Sequence, residues 1–276
     1  MIVIIVTLTT TSTYAAVTFA TSTTTTTTTS STTTTSSTTT TSSTRTVPPP
    51  PVLDGFSQIQ YGSSTCKDTL NTTKSNDVIV VFTGAESAGQ VFTVTDTANL
   101  PWHLRASTQF NSSGQFVNTF EEYYTVAPKP LTNDLITVTY ILTGGSNGCS
   151  ALGIAGANAT APFDPSSTSA GCSGPEGLPR YAVSSNATTS GSVSICTSNT
   201  NDFLITGMWM SGDALNSSPA NFTVLANSSA PAEGPGSLSF NEAYQRVFTN
   251  ETSLPVTWTF GGDSWAIIAD AVTGDS

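Results

Sequence analysis

The sequence predicts an all-β fold: an antiparallel two-sheet β-sandwich of jelly-roll-like type with an internal pseudo-twofold, preceded by a disordered Ser/Thr-rich stalk. Three observations predict it. Apolar residues alternate with polar ones at period two, no segment has a helical period, and clusters of Gly, Asn, Pro and Ser separate the apolar segments. Alternation at period two buries one face of a strand and exposes the other. Strands without intervening helices then bury their apolar faces by packing sheet on sheet.

Residues 1–20 have two interpretations. A short apolar run at 1–6 resembles a weak signal peptide that ends at Ala15 or Ala20, although no Lys or Arg precedes it. Alternatively, residues 2–8 are rich in β-branched side chains and form a strand that pairs with another sheet. No run approaches the ~18–20 apolar residues of a membrane-spanning helix, so the sequence predicts no transmembrane span.

Residues 21–51 predict a stalk. Positions 21–44 are Ser or Thr without interruption, and positions 48–51 are four prolines. Hydroxyl side chains bury too little apolar surface to offset the entropy of folding, so the segment stays extended. Ser/Thr runs next to proline are typical of O-glycosylated spacers on extracellular proteins. Residues 52–276 remain for the β-sandwich domain.

The charge balance excludes some partners. Only 9% of residues are charged, and the 18 acidic and 7 basic side chains give a net charge of −11. Such a surface repels nucleic acid and anionic lipid headgroups. The partners that remain are glycans, other envelope proteins and further copies of the chain itself.

The cysteines and glycosylation signals predict an extracellular, cell-surface location. An even number of cysteines without CxxC spacing favours disulfides in an oxidising compartment, with three pairings open: Cys66, Cys149, Cys172 and Cys196. Eight Asn-x-Ser/Thr sequons are candidate N-glycosylation sites: Asn71, Asn111, Asn158, Asn186, Asn216, Asn221, Asn227 and Asn250.

Seven segments have the composition of strands: 78–82, 91–95, 135–142, 203–206, 222–225, 256–260 and 265–272. Three of the strands follow an Asn-Asp turn, at 76–77, 133–134 and 201–202.

Segments of the first half recur in the second at an offset of about 120 residues. Residues 120–124, 136–140, 77–80 and 92–94 align with 240–244, 256–260, 202–205 and 222–224. We therefore expect two similar halves, each giving strands to both sheets.

The succession of 94–102 (VTDTANLPW), 123–127 (YYTVA), 136–138 (ITV), 161–164 (APFD) and 265–269 (WAIIA) resembles a group of uncharacterised secreted β-sandwich proteins. That group is abundant in ammonia-oxidising archaea and soil bacteria and is similar to concanavalin A-type jelly rolls. The resemblance spans roughly residues 70–272. The resemblance implies a secreted β-sandwich, and it indicates no particular activity.

Glu122 and Glu242 are the candidate catalytic residues. Period two places each on the same face as aromatic residues, Glu122 with Phe120 and Tyr124, and Glu242 with Phe240. A glycoside hydrolase would use two such carboxyls as acid and as nucleophile or base, about 5–9 Å apart. The competing interpretation is that each carboxyl accepts hydrogen bonds inside the core. The acidic motif of concanavalin-like glucanases is absent, so we expect no enzymatic activity.

Two further groups of side chains are candidates for ligand binding. Asp96, Asn99 and Asp164 could supply oxygen ligands to Ca²⁺ as a cofactor, although this spacing more often marks a turn. Trp102 is the tryptophan we expect to be exposed and able to stack on a sugar ring, whereas Trp258 and Trp265 belong to the core.

Together these features predict a non-enzymatic extracellular glycoprotein that is a structural or adhesive part of the envelope or of an appendage. Two alternatives stay open. One is a donor-strand filament subunit, in which residues 2–8 complete a neighbour's sheet. The other is a carbohydrate-binding or glycoside hydrolase jelly roll.

Overall fold

A computed structural model describes residues 49–86, 92–112, 116–141, 147–165, 177–212, 215–229 and 239–274. These ranges contain fifteen β-strands, all paired antiparallel, and no helix. The predicted antiparallel sandwich is therefore confirmed. The predictions for residues 1–20, for the stalk up to residue 48 and for Cys172 lie outside the described residues.

The first half of the chain builds one main sheet and one outer sheet. Its main sheet has the order β1-β9-β4-β7-β6, with β2 also pairing with β9, and its outer sheet has the order β3-β8-β5. The strands are β1 Val52–Phe56, β2 Gln60–Gly62, β3 Thr65–Leu70, β4 Asp77–Ala85, β5 Phe92–Thr95, β6 His103–Ser112, β7 Phe116–Ala127, β8 Asp134–Tyr140 and β9 Asn147–Ala155.

The second half builds a sheet with the corresponding order, β10-β15-β11-β14-β13, and β12 also pairs with β15. The strands are β10 Arg180–Ile195, β11 Asp202–Met210, β12 Leu215–Ser217, β13 Thr223–Ser229, β14 Ser239–Val247 and β15 Leu254–Thr273. Because β10 and β15 are long, residues 190–195 of β10 and 254–259 of β15 pair with each other and take the place of a separate outer sheet.

Three cores hold these layers together. One lies between the two main sheets and includes Val80, Phe82 and Phe120 of the first half with Ile205 and Phe240 of the second. The other two each lie within one half, between its main sheet and its outer strands. Trp258 and Trp265 belong to the core of the second half, as predicted. Each half is thus a small sandwich, and the two pack face to face.

The expectation that each half gives strands to both sheets is wrong. Strands β1, β4, β6, β7 and β9 form one main sheet, and the other contains only strands from residue 180 onward. Short connections favour pairing between neighbours in sequence, so each half completes its own sheet before the two halves pack.

Most of the aligned segments lie in equivalent strands of the two halves. Residues 77–80 and 202–205 begin the central strands β4 and β11, and residues 120–124 and 240–244 lie in β7 and β14. The alignment of 92–94 with 222–224 is wrong, because β5 pairs with β8 in the outer sheet whereas β13 pairs with β14 in the main sheet. Thr- and Val-rich strands resemble one another by composition, and this explains the error.

Two glycines let aromatic side chains cross between the main sheets. Gly84 lies against the Trp209 indole, and a Cβ at residue 84 would overlap that ring. Gly207 lies against Phe82 and Phe120, with Phe120 Cζ 2.8 Å from the place of a Cβ. Each half therefore inserts an aromatic ring into a gap left by a glycine of the other half.

Cys66 of β3 and Cys149 of β9 form a disulfide between the outer and main sheets of the first half. Cys196 is also disulfide-bonded.

Candidate functional site

The predicted catalytic residues lie in the interface between the two main sheets. Glu122 is fully buried on β7, and Glu242 is 1% exposed on β14. Both point inward beside aromatic residues, as period two predicts. A β-bulge in the neighbouring edge strand lies opposite each one. Arg105 is the extra residue in β6 opposite Glu122, and Leu225 is the extra residue in β13 opposite Glu242.

The bulge in β6 turns Arg105 into the interface, where it binds the second half of the chain. Its Nε donates to Asp270 Oδ2 at 2.7 Å, and its Nη2 donates to Asp270 Oδ1 at 3.3 Å and to the Leu178 carbonyl at 3.0 Å. The guanidinium also lies 4.1 Å from the centre of the Phe163 ring. A bidentate contact with a fully buried aspartate is the strong form of an ion pair.

Glu122 interacts with Arg105 and Asp270 as a neutral acid. No N–H or O–H donor reaches either of its carboxylate oxygens. Burial and the negative charge of Asp270 raise the pKa of Glu122 well above its usual range, although Arg105 acts in the opposite direction. A hydrogen bond between Glu122 and Asp270 therefore requires the proton to reside on Glu122.

Glu242 has a different set of partners. The Ser150 hydroxyl of the first main sheet donates to its Oε1. Burial raises the pKa of Glu242 to about 8, with the Ser150 hydrogen bond opposing the shift and the charge of Asp68 adding to it. Glu242 is thus a neutral acid near pH 7, hydrogen-bonded across the interface without a nearby cation.

The two glutamates have separate surroundings. After burial, Asp270 and Arg105 shift the pKa of Glu122, whereas Ser150 and Asp68 shift the pKa of Glu242. The rings of Phe82, Phe120, Phe240 and Trp209 pack together in the same interface. Each carboxyl is positioned to join the two sheets.

Trp102 and two of the candidate calcium ligands, Asp96 and Asn99, belong to one turn. Trp102 is half-buried against the core of the first half, and its Nε1 donates to Asp96 Oδ2 at 2.6 Å. Asp96 also accepts from the Leu100 amide, and Asn99 has a φ of 57°, in the left-handed region. The expectation that Trp102 is exposed is therefore wrong, because this turn holds its ring against the core. Its sugar-binding role stays a prediction.

Asp164 has its own set of donors. Its Oδ2 accepts from the Ser198 and Asn199 amides at 2.8 and 2.9 Å and from Asn199 Nδ2, and its Oδ1 accepts from Ser198 Oγ. N–H groups surround this carboxylate, so a cation could approach only by displacing them. Within the described ranges, no group of three or more His, Cys, Asp or Glu side chains is arranged to hold a metal ion.

Most of the candidate glycosylation sites are open to solvent. Six of the eight asparagines are exposed, whereas Asn158 is half-buried and the side chain of Asn216 is not described: Asn71, Asn111, Asn186, Asn221, Asn227 and Asn250. The Asn250 amide donates to the Ser198 carbonyl at 3.0 Å. Asn158 Oδ1 accepts from the amides of Thr160 and Ala161 and closes a turn.

Sequence reasoning missed Arg105, Asp270 and Ser150. Arg105 lies in a strand that was not predicted, and its ion pair joins residues 165 positions apart. The one available signal was the position of Asp270 within the strongly apolar segment 265–272, since an acid in such a strand needs a buried partner.

No protein-family model, no curated protein and no solved structure matches this chain. In the part of the chain that the structure describes, no helix has the length and apolar character needed to span a membrane.

Proposed function

We propose that this chain is a non-enzymatic, secreted glycoprotein of the cell surface, in which residues 21–51 serve as a spacer and the sandwich is a structural or adhesive module. One observation carries the proposal: Glu122 and Glu242, the acids best placed by sequence for hydrolysis, are buried between the main sheets with protein partners. A hydrolase needs both carboxyls to reach a substrate.

The surface supports the same interpretation. The exposed sequons are spread over several strands and loops, which suits a glycosylated exterior. The outward faces of the outer strands carry hydroxyl side chains, among them Thr93, Thr95 and Thr139, and contain few charges. Such a surface is well suited to contacts with glycans or other envelope proteins.

Two measurements test the proposal. Purified full-length protein is first incubated with a panel of oligo- and polysaccharides, together with the Glu122→Gln and Glu242→Gln variants, and we expect no release of reducing ends from any of them. Hydrolysis that both substitutions abolish would show that the two acids are catalytic and would overturn the proposal.

The second measurement addresses location. Intact producing cells are treated with a protease and with an N-glycosidase, and the protein is followed by mass spectrometry. We expect cleavage on intact cells and a mass decrease at the exposed asparagines. Protein that resists both treatments until the cells are lysed would contradict a surface location.

One observation favours the filament alternative as the second candidate. Strand β13 lies at the edge of the second main sheet, where, among the described strands, it pairs only with β14. An open edge can accept a strand from another copy. Electron microscopy of native material tests this alternative, because filaments that disappear on deletion of residues 2–8 would support donor-strand assembly.

A further inference from the structure

A buried aspartate with few hydrogen-bond donors begins the central strand of the first main sheet. Asp77, the first residue of β4, is fully buried, and the Thr72 hydroxyl is the donor that acts on its carboxylate. An ionised carboxylate in that state would lose its hydration with little replacement, at a large cost in free energy.

The side chain that faces Asp77 is a second aspartate whose own oxygens are already taken. The amides of Thr73 and Lys74 and the Thr73 hydroxyl all donate to the Asp54 carboxylate. These donors favour the charged form, and they lower the pKa of Asp54 although burial opposes them. Asp54 is therefore an ionised acceptor, and Asp77 can bond to it only by supplying a proton.

The second half repeats this geometry at the equivalent place. Asp202, the first residue of β11, is 1% exposed and interacts with Asp164, whose oxygens accept from Ser198 and Asn199. The Thr197 and Thr273 hydroxyls also act on Asp202. A buried aspartate thus meets a second, hydrogen-bonded aspartate at the start of both central strands.

We propose that Asp54 and Asp77 share one proton and act as a pH-sensitive latch, which joins β1 and the 72–76 turn to the start of β4 in acid and weakens in alkali. Apart from Asp54, the groups that act on Asp77 are the Thr72 hydroxyl and the positive charge of Lys74. Above the titration point both carboxylates are ionised, and their repulsion opposes the contact that holds the turn.

The sign of the pH dependence follows from linkage. Burial and then Asp54 raise the pKa of Asp77 to about 7, above the value of about 3.9 for an unfolded aspartate. Between these values the folded state holds one proton more than the unfolded state. The unfolding equilibrium constant therefore rises by up to about tenfold per pH unit in this window as the pH increases.

The experiment compares full-length wild type with Asp77→Asn, whose amide can donate to Asp54 at any pH. Hydrogen exchange of the Thr73 and Lys74 amides is measured at pH 5 and pH 9 and divided by the intrinsic rates. We expect protection to fall by up to about a hundredfold between pH 5 and pH 9 in wild type and to stay constant in the variant. Equal loss of protection in both proteins would overturn the latch.

A direct titration keeps the proposal testable if Asp77→Asn does not fold. The ¹³C carboxyl signal of Asp77 in wild type should titrate near pH 7, and it should shift toward the ordinary range in Asp54→Asn, because the new amide donates to Asp77. Titration of wild-type Asp77 near pH 4 would overturn the proposal. An increase of the melting temperature by Ca²⁺ at pH 8 in wild type but not in Asp77→Asn would also overturn it, since the pair would then hold a cation.

Discussion

The two halves of this molecule place a glutamate at equivalent positions and stabilise it by different means. In the first half the bulged edge strand supplies Arg105, which pairs with Asp270 of the other half while Glu122 keeps its proton. In the second half the same bulge supplies Leu225, and Glu242 receives a hydrogen bond from Ser150. A repeated backbone therefore accommodates either an ion pair or an apolar contact, because the bulge only sets the direction of the side chain.

The largest expected effect comes from making the first half resemble the second. Arg105→Leu leaves Asp270 buried without its cation, and removal of one partner of a buried ion pair typically costs about 3–5 kcal/mol. We expect a loss of this size in the free energy of unfolding, measured by denaturant titration. The double variant Arg105→Leu with Asp270→Asn should recover part of it.

Arg246→Leu is the matched control, because Arg246 stacks on Phe248 and forms no ion pair within the described residues. Equal destabilisation by the two arginine substitutions would mean that the ion pair contributes nothing specific.

The second effect concerns the two glycine gaps. Gly84→Ala should cost about 2–3 kcal/mol, because the added methyl overlaps the Trp209 indole, which is held by a 3.3 Å hydrogen bond to Asn118. Gly207→Ala should cost less, since the nearest atom is the end of the Phe120 ring. Chemical denaturation of both variants measures the difference, and a larger cost at Gly207 would reverse our interpretation of the packing.

A third substitution tests the hydrogen bond between Ser150 and Glu242. Ser150→Ala removes the donor to Glu242 and should lower the free energy of unfolding by about 1–2 kcal/mol. The control is Ser107→Ala, in which an exposed hydroxyl donates to Glu121 at 2.7 Å and water can replace it. Equal losses in the free energy of unfolding for Ser107→Ala and Ser150→Ala would contradict this prediction.

The last prediction concerns Glu242→Gln, whose effect is absent in acid and grows with pH. The pKa of Glu242 is raised to about 8, above the unfolded value of about 4.3, so the protonated side chain stabilises wild type fully below about pH 4 and progressively less up to about pH 8. Glutamine does not titrate. The variant should match wild type near pH 4 and be more stable than wild type at pH 7.

Melting curves of wild type and Glu242→Gln across this pH range provide the measurement. A pH dependence that the substitution leaves unchanged would show that Glu242 is ionised in the folded protein at neutral pH.

Part of the local structure was predictable from residue patterns. The segments 78–82, 203–206 and 256–260 lie within β4, β11 and β15, and alternation correctly turned Glu122 and Glu242 toward the core. Seven strands were not predicted: β1, β2, β3, β6, β9, β10 and β12. Strand β6 is an edge strand with polar residues and a bulge, which interrupt the alternation, and β9 is rich in Gly and Ala, whose small side chains give little periodic signal.

The sequence by itself determined the fold class, the burial of the two glutamates and the presence of an internal repeat, because period-two alternation depends only on neighbouring residues. Only the tertiary structure decided that each half forms its own sheet and that Arg105 meets Asp270. The physical reason is that an inward-facing side chain takes its partner from the opposite sheet. That partner depends on which faces pack together and in what register, and it leaves no trace in the spacing along the chain.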